Sequence, residues 1–305
     1  MPTTLARRPD AAAADRATGL ALALAGSVAF SGKAIIVKLA YRHGVDAITL
    51  IMYRMVFALP FFLGLMWWAG RGRVRMDVRD RMAVWALGFS GYYLASSLDF
   101  LGLQYISASL ERLILYLNPT LVLLLGWWLF GRRATRGQLL ALAISYCGVL
   151  LVFGREARVE GQHVALGAAL VFASTLSYAA YMLYSGEVLR RIGSLRLTGA
   201  ASSVACVLCI LQFFVLRPMS AAAVATPVLW LSVLNAVVCT VAPVLMVMMA
   251  IERVGPAVTA QAGMIGPIST ILMSIWLLDE PFTPWLAAGT LCVMAGVGLM
   301  ARGKR

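Results

Sequence analysis

Charge is scarce in this chain. Asp, Glu, Lys and Arg make up 13% of its 305 residues, about half the share of a soluble globular domain. Histidine occurs only as His43 and His163. Neither an H-E-x-x-H nor a G-x-S-x-G motif is present, so an intramembrane enzyme would lack a recognisable metal base or nucleophile. No G-x-x-x-x-G-K-[ST] occurs, and no polar stretch is long enough to hold a soluble nucleotide-binding domain. That excludes an ATP-driven pump and any need for an ATPase subunit. The five cysteines (Cys147, Cys206, Cys209, Cys239, Cys292) all fall in apolar segments. They read as small packing residues, not as a disulfide framework or a metal site. Cys206-x-x-Cys209 lacks the His partners and the soluble fold of a redox motif. No metal and no cofactor are expected. The formal charge of +13 comes without nucleic-acid-binding motifs, because the arginines sit in short turns between apolar runs. That leaves the lipid bilayer as the partner, and no nucleic acid.

What is abundant is apolar sequence, at 61% of the chain. A helix needs roughly 20 apolar residues to cross the hydrocarbon of a bilayer. The spacing predicts such helices over 18–40, 46–69, 82–104, 107–130, 135–153, 163–186, 196–216, 226–250, 256–278 and 284–301. The expected fold is therefore an all-α integral membrane protein of ten transmembrane helices. Arg7, Arg8 and Arg16 precede the first run, but Lys33 and Lys38 follow within it and no small-residue cleavage site ends it. Residues 1–17 read as a cytoplasmic tail and 303–305 as another.

Residues 19–154 and 167–302 carry one design twice, at an offset of 148. Gly19, Ala21, Leu22 and Ala25 recur as Gly167, Ala169, Leu170 and Ala173. Asn118-Pro119 recurs as Gly266-Pro267, Trp128-Leu129 as Trp276-Leu277, Thr135 as Thr283, and Gly148-Val149 as Gly296-Val297. This predicts a first unit at 18–154 and a second at 155–302, each with five helices. Five is odd, so the second copy is inverted, with the substrate cavity at the repeat interface. With the N-terminus inside, 18 Lys and Arg residues fall in inner segments. Only Arg42, Arg155, Arg158 and Arg217 fall in outer ones. Both termini are thus expected in the cytoplasm. The turn Gly131-Arg132-Arg133 is basic where its counterpart Asp279-Glu280-Pro281 is acidic, as inversion requires.

Six charges remain within the runs: Lys33, Lys38, Arg54, Asp99, Glu111 and Arg112. Intramembrane charges are costly and mark polar cavities or internal pairs. All six belong to the first repeat and to the outer half of their helices, or its edge. Most of their counterparts are neutral, such as Tyr181 for Lys33 and Val247 for Asp99. Lys33, Asp99 and Glu111 are candidates for pairing with one another first, and for substrate or proton contact second. Helical spacing aligns Tyr92, Ser96 and Asp99, then Glu111 with Asn118 beside Tyr116, and Tyr178 with Tyr181. Such a stripe suits a neutral polar substrate with an apolar side, or ordinary hydrogen bonding between helices. Pro119, Pro243 and Pro267 fall mid-helix and are expected as bends or pivots. The small residues Ala141, Ser145 and Gly148, with Gly289, Cys292 and Gly296, allow close packing within one chain, consistent with a monomer or weak dimer.

A membrane Pro, an acid 13 positions on and a Gly-rich last helix, here Pro267, Glu280, Gly289 and Gly296, resemble the EamA-type half of the drug/metabolite transporter superfamily. The first copy has Pro119 and Gly148 but departs with Arg132. The resemblance implies a central cavity ringed by the first, third, fourth, sixth, eighth and ninth helices. It implies a carrier exporting amino acids or related small metabolites, with drug export or metabolite uptake as the alternatives. Arg54, on the second helix, is then expected to be structural. Bacterial exporters of this type lie in the inner membrane.

Overall fold

The computed structural model describes residues 9–72, 75–130, 135–159, 163–263 and 265–302, and among these it contains helices and turns but no strand. The helices are α1 (Pro9–Tyr41), α2 (Ala47–Gly70), α3 (Val78–Leu87), α4 (Ala95–Gly102), α5 (Ala108–Leu115), α6 (Asn118–Phe130) and α7 (Arg136–Val159). They continue with α8 (Val164–Ile192), α9 (Ser194–Leu216), α10 (Thr226–Ala236), α11 (Ala242–Gly263), α12 (Gly266–Leu278) and α13 (Pro284–Arg302). Among the described residues seven stretches are long and apolar enough to cross a membrane, and two shorter apolar helices, Gly266–Leu278 and Pro284–Leu299, follow.

Side-chain caps set several helix starts. Asp46 Oδ1 accepts from the amides of Ile48 and Thr49 at the head of α2. Ser107 Oγ accepts from Leu110 N at the head of α5. Thr135 and Thr283, counterparts in the two repeats, cap α7 and α13 through Gln138 N and Leu286 N. Each cap takes up one amide that the first helical turn leaves unpaired.

Close packing follows the repeat. Gly19 lies against Arg253 and Val254, while Gly167 lies against Tyr105 and Ile106. These are the same pairings shifted by 148. Gly148 meets Gly289, Cys292 and Val293, and Gly296 meets Ala141 and Ser145. The numbers fall on α13 as they rise on α7, so these two counterpart helices run antiparallel. A Cβ on Gly148 would stand 2.6 Å from the Gly289 carbonyl oxygen; only glycine lets the backbones come this close.

Four expectations need correction. The first helix begins at Pro9, not 18, because the run Ala11–Ala14 has high helix propensity. Residues 1–8 and 303–305, at the ends of the chain, lie outside the described residues, as does Arg132. The third helix is not uniform: Gly88–Leu94 forms a π-helical turn, and so does Val237–Val241, at the corresponding place in the second repeat. The fourth and ninth helices are each broken, ahead of Asn118 and ahead of Gly266. Pro119 and Pro267 are therefore second residues of new helices, where a missing amide costs nothing, and not mid-helix kinks. Pro243 does lie within a helical run, directly after the second π turn, whose wider winding accommodates the carbonyls that a proline leaves unpaired. The expected turn near 251–255 is taken inside α11. Val254 lies against Gly19, yet Gly263 lies beside Ser27, so the chain reverses between them while remaining helical.

Candidate functional site

Four helices bring the buried charges together. Lys33 on α1 donates through Nζ to Asp99 Oδ2 on α4 and to Glu111 Oε1 on α5, the latter at 2.9 Å. Lys33 is 6% exposed, Asp99 4% and Glu111 0%. One ammonium thus serves two buried carboxylates. Asp99 Oδ1 and Glu111 Oε2 have no hydrogen-bond partner among the described residues. A pair taken from water and left half-satisfied is poor at stabilising a fold, and such a group points to function.

Two arginines flank the cluster. Arg112 Nε donates to Thr270 Oγ1 at 2.9 Å, and its Nη2 to the Phe30 carbonyl at 3.2 Å. Arg54 Nε donates to Thr240 Oγ1 at 3.0 Å, and its guanidinium lies 5.1 Å from the Phe100 ring centre. Arg54 thus lies beside the cluster, against Phe100, the chain neighbour of Asp99. Its partner Thr240 belongs to the π turn Val237–Val241, and Cys239 of the same turn packs on Gly32, next to Lys33.

The two helix breaks meet beside this cluster. Tyr116 Oη, at the end of α5, donates to the Gly263 carbonyl at 2.6 Å. Ser31 Oγ donates to the Gly266 carbonyl at 2.9 Å. A break in a membrane helix frees the carbonyls that precede it, which must be satisfied locally; here Tyr116 of the first repeat satisfies that of Gly263. A Cβ on Gly266 would stand 2.7 Å from Tyr116 Oη, so a larger residue there would have to displace the Tyr116 hydroxyl.

The expected stripe of polar residues resolves into two groups. Tyr92 and Tyr181 share a hydroxyl contact of 3.2 Å, and Tyr178 stacks on Tyr181 with ring centres 5.5 Å apart. No contact links these tyrosines to Asp99 among the described residues. The π winding that ends at Leu94 changes the angular spacing between Tyr92 and Asp99 from that of an α-helix, which moves one off the face of the other. Ser96 is half-buried and Asn118 Oδ1 is buried without a partner. Pro119 is exposed, whereas Pro243 and Pro267 are buried. Sequence reasoning missed Ser31, Thr240 and Thr270, since a hydroxyl in an apolar helix carries no signal of its own.

At one end of the molecule the tip after α12 bridges both repeats. Glu280 accepts from Ala108 N at 2.8 Å and from Ser109 Oγ at 2.7 Å at the head of α5, while Arg42 donates to the Leu278 carbonyl at 2.7 Å. Glu156 accepts from Ser107 beside them. A carboxylate at a helix start offsets the positive end of its dipole.

A model of the EamA-like transporter family matches residues 17–154 and again 165–302. The chain belongs to this family. It is similar to the uncharacterized transporter YcbK of Bacillus subtilis, 30% identical over 87% of each chain. It is also similar to the uncharacterized transporter YetK of the same species, at 22% identity over 92% of this chain and 86% of that one. An uncharacterized transporter of Archaeoglobus fulgidus is 22% identical over 92% of this chain and 96% of its own. A solved crystal structure, 16% identical, shares the fold with a TM-score of 0.62 over 94% of this chain and 98% of that one. This EamA-like protein is a multi-pass membrane transporter of the drug/metabolite type.

Proposed function

We propose that this transporter exports amino acids or related small metabolites from the bacterial cytoplasm across the inner membrane by alternating access. In this reading ten spans form two inverted five-helix halves with both termini inside. The observation that carries it is the junction itself. A desolvated Lys33–Asp99–Glu111 cluster sits where broken helices from both repeats touch, through Tyr116 and Gly263. Charges held at a repeat interface beside helix breaks are what a rocking carrier needs to engage a polar substrate from either side. The antiparallel packing of α7 on α13 supports the inversion.

Transport down the substrate's own gradient is favoured over proton antiport. Asp99 and Glu111 are both bonded to Lys33 and buried, so proton antiport would need this contact to open during the cycle. Proteoliposomes loaded with an amino-acid panel test the reading. The expected result is saturable counterflow without uphill accumulation under an imposed pH gradient. Accumulation driven by that gradient and abolished by Asp99→Asn would overturn the facilitated mode, and failure to carry any amino acid would overturn the substrate class.

A further inference from the structure

The deepest charges of this protein do not balance. Among the described residues the buried Asp, Glu, Lys and Arg side chains are Lys33, Arg54, Asp99, Glu111 and Arg112. Three are basic and two are acidic, so with every group ionised the surplus is one positive charge. Both carboxylates are committed to Lys33. Neither guanidinium forms an ion pair with a carboxylate among the described residues. Arg112 is held by a threonine hydroxyl and a backbone carbonyl. Arg54 is held by Thr240 and the face of Phe100. Neutral acceptors orient a guanidinium but do not cancel its charge, and an uncompensated charge in a low-dielectric interior is expensive.

Arg54 also has an idle donor. It is 6% exposed, and its Nη1 is buried with no hydrogen-bond partner. It interacts electrostatically with Asp99 without touching it. Cys239, in the π turn that holds Thr240, lies within electrostatic reach of Arg54, Arg112 and Lys33 together. One turn of the second repeat thus holds Arg54 through Thr240 and packs through Cys239 on Gly32, next to Lys33. Two further atoms nearby, Asp99 Oδ1 and Glu111 Oε2, are buried acceptors without donors.

We propose that Arg54 anchors a binding site for a small organic monoanion that also carries a hydrogen-bond donor, the chemical class of acidic amino acids and hydroxy acids. The ligand's anionic group takes Arg54 Nη1. Its ammonium or hydroxyl group takes Asp99 Oδ1 or Glu111 Oε2. A guanidinium suits this task because its donors match a planar carboxylate. Bound monoanion brings the buried charge to zero, a zwitterion leaves it at +1, and a cation raises it to +2. The inference rests on the exporter reading only in placing the substrate at this cluster, and narrows its substrate class.

The test uses the full chain in proteoliposomes, with counterflow of glutamate, lactate, leucine and lysine, each paired with ligand-induced thermal stabilisation in detergent. Glutamate or lactate should be preferred over leucine and lysine by about tenfold or more, the equivalent of one strong polar contact. Arg54→Gln should remove that preference, and Arg54→Lys should keep part of it. Leucine carried as well as glutamate and lactate, with Arg54→Gln unchanged, would overturn the monoanion site and leave amino-acid export standing. Lactate carried while no amino acid is would support the site and overturn amino-acid export. Where Arg54→Gln does not insert, Asp99→Asn decides. With every group ionised it raises the buried charge to +2, so preference should shift from lactate toward the dianion malate, which keeps a hydroxyl donor for Glu111 Oε2; an unchanged preference would overturn the proposal.

Discussion

Lys33 serves two carboxylates at once, so its removal has an unequal consequence. Lys33→Ala strands two buried acids, whereas Asp99→Asn leaves Lys33 with Glu111. Breaking a buried pair from one side costs about 3–5 kcal/mol. If each single variant misfolds and the double does not, the cluster is a structural pair and no more. Asp46 gives a cleaner test at the edge of the fold, where it caps α2 and accepts from Arg217 Nε at 3.0 Å. Partial burial pushes the Asp46 carboxyl up, but hydrogen bonds from Thr49 and Arg217 outweigh it, and the folded value lies below the ordinary one. The stabilisation is therefore complete above the ordinary carboxylate range and is lost as pH falls through the lowered value. Melting curves at falling pH should show wild type losing stability through this acid window and Asp46→Asn losing less. Lys33, Asp99 and Glu111 were legible in the sequence because a charge in an apolar run is conspicuous. The contact of Arg54 with Thr240 was not, since only the fold brings the second helix to the π turn Val237–Val241.

At the scale of elements, the small-residue faces and the prolines told different amounts. Gly148 and Gly296 announced a close helix pair, and α7 packs on α13 through them. Gly148→Leu should destabilise by about 1–3 kcal/mol, because the facing Gly289 backbone cannot move aside. Gly154→Leu on the same helix, where a Cβ meets nothing within 4 Å, should leave the melting temperature nearly unchanged. Equal losses for the two would contradict the packing described. The prolines marked the breaks but not their nature, since nothing local distinguishes a kink from a new helix start. The paired π turns left no sequence signature. They follow from how the third and eighth helices meet their neighbours, which periodicity does not record.

For the whole molecule, the repeat at an offset of 148 was plain in the sequence, because paired glycines, prolines and caps recur at fixed spacing. Which repeat would supply the charges was equally plain. That second-repeat hydroxyls and carbonyls would receive them was not, since it depends on the halves being docked. The distribution of arginines predicts both termini in the cytoplasm. A phosphatase that works only outside, fused after Arg305, should stay inactive; activity there would contradict the orientation and the inversion with it.

The central claim is that the Lys33–Asp99–Glu111 cluster lies on the transport route. It is tested most directly by substrate counterflow in proteoliposomes carrying equal amounts of inserted wild type, Lys33→Ala/Asp99→Asn and Arg253→Ala. The double variant should lose about tenfold or more in rate, a loss of roughly 1.4 kcal/mol in barrier terms. Arg253→Ala, which alters a charge near the reversal in α11, should run at the wild-type rate. A double variant that inserts and exchanges substrate as fast as wild type would contradict the claim.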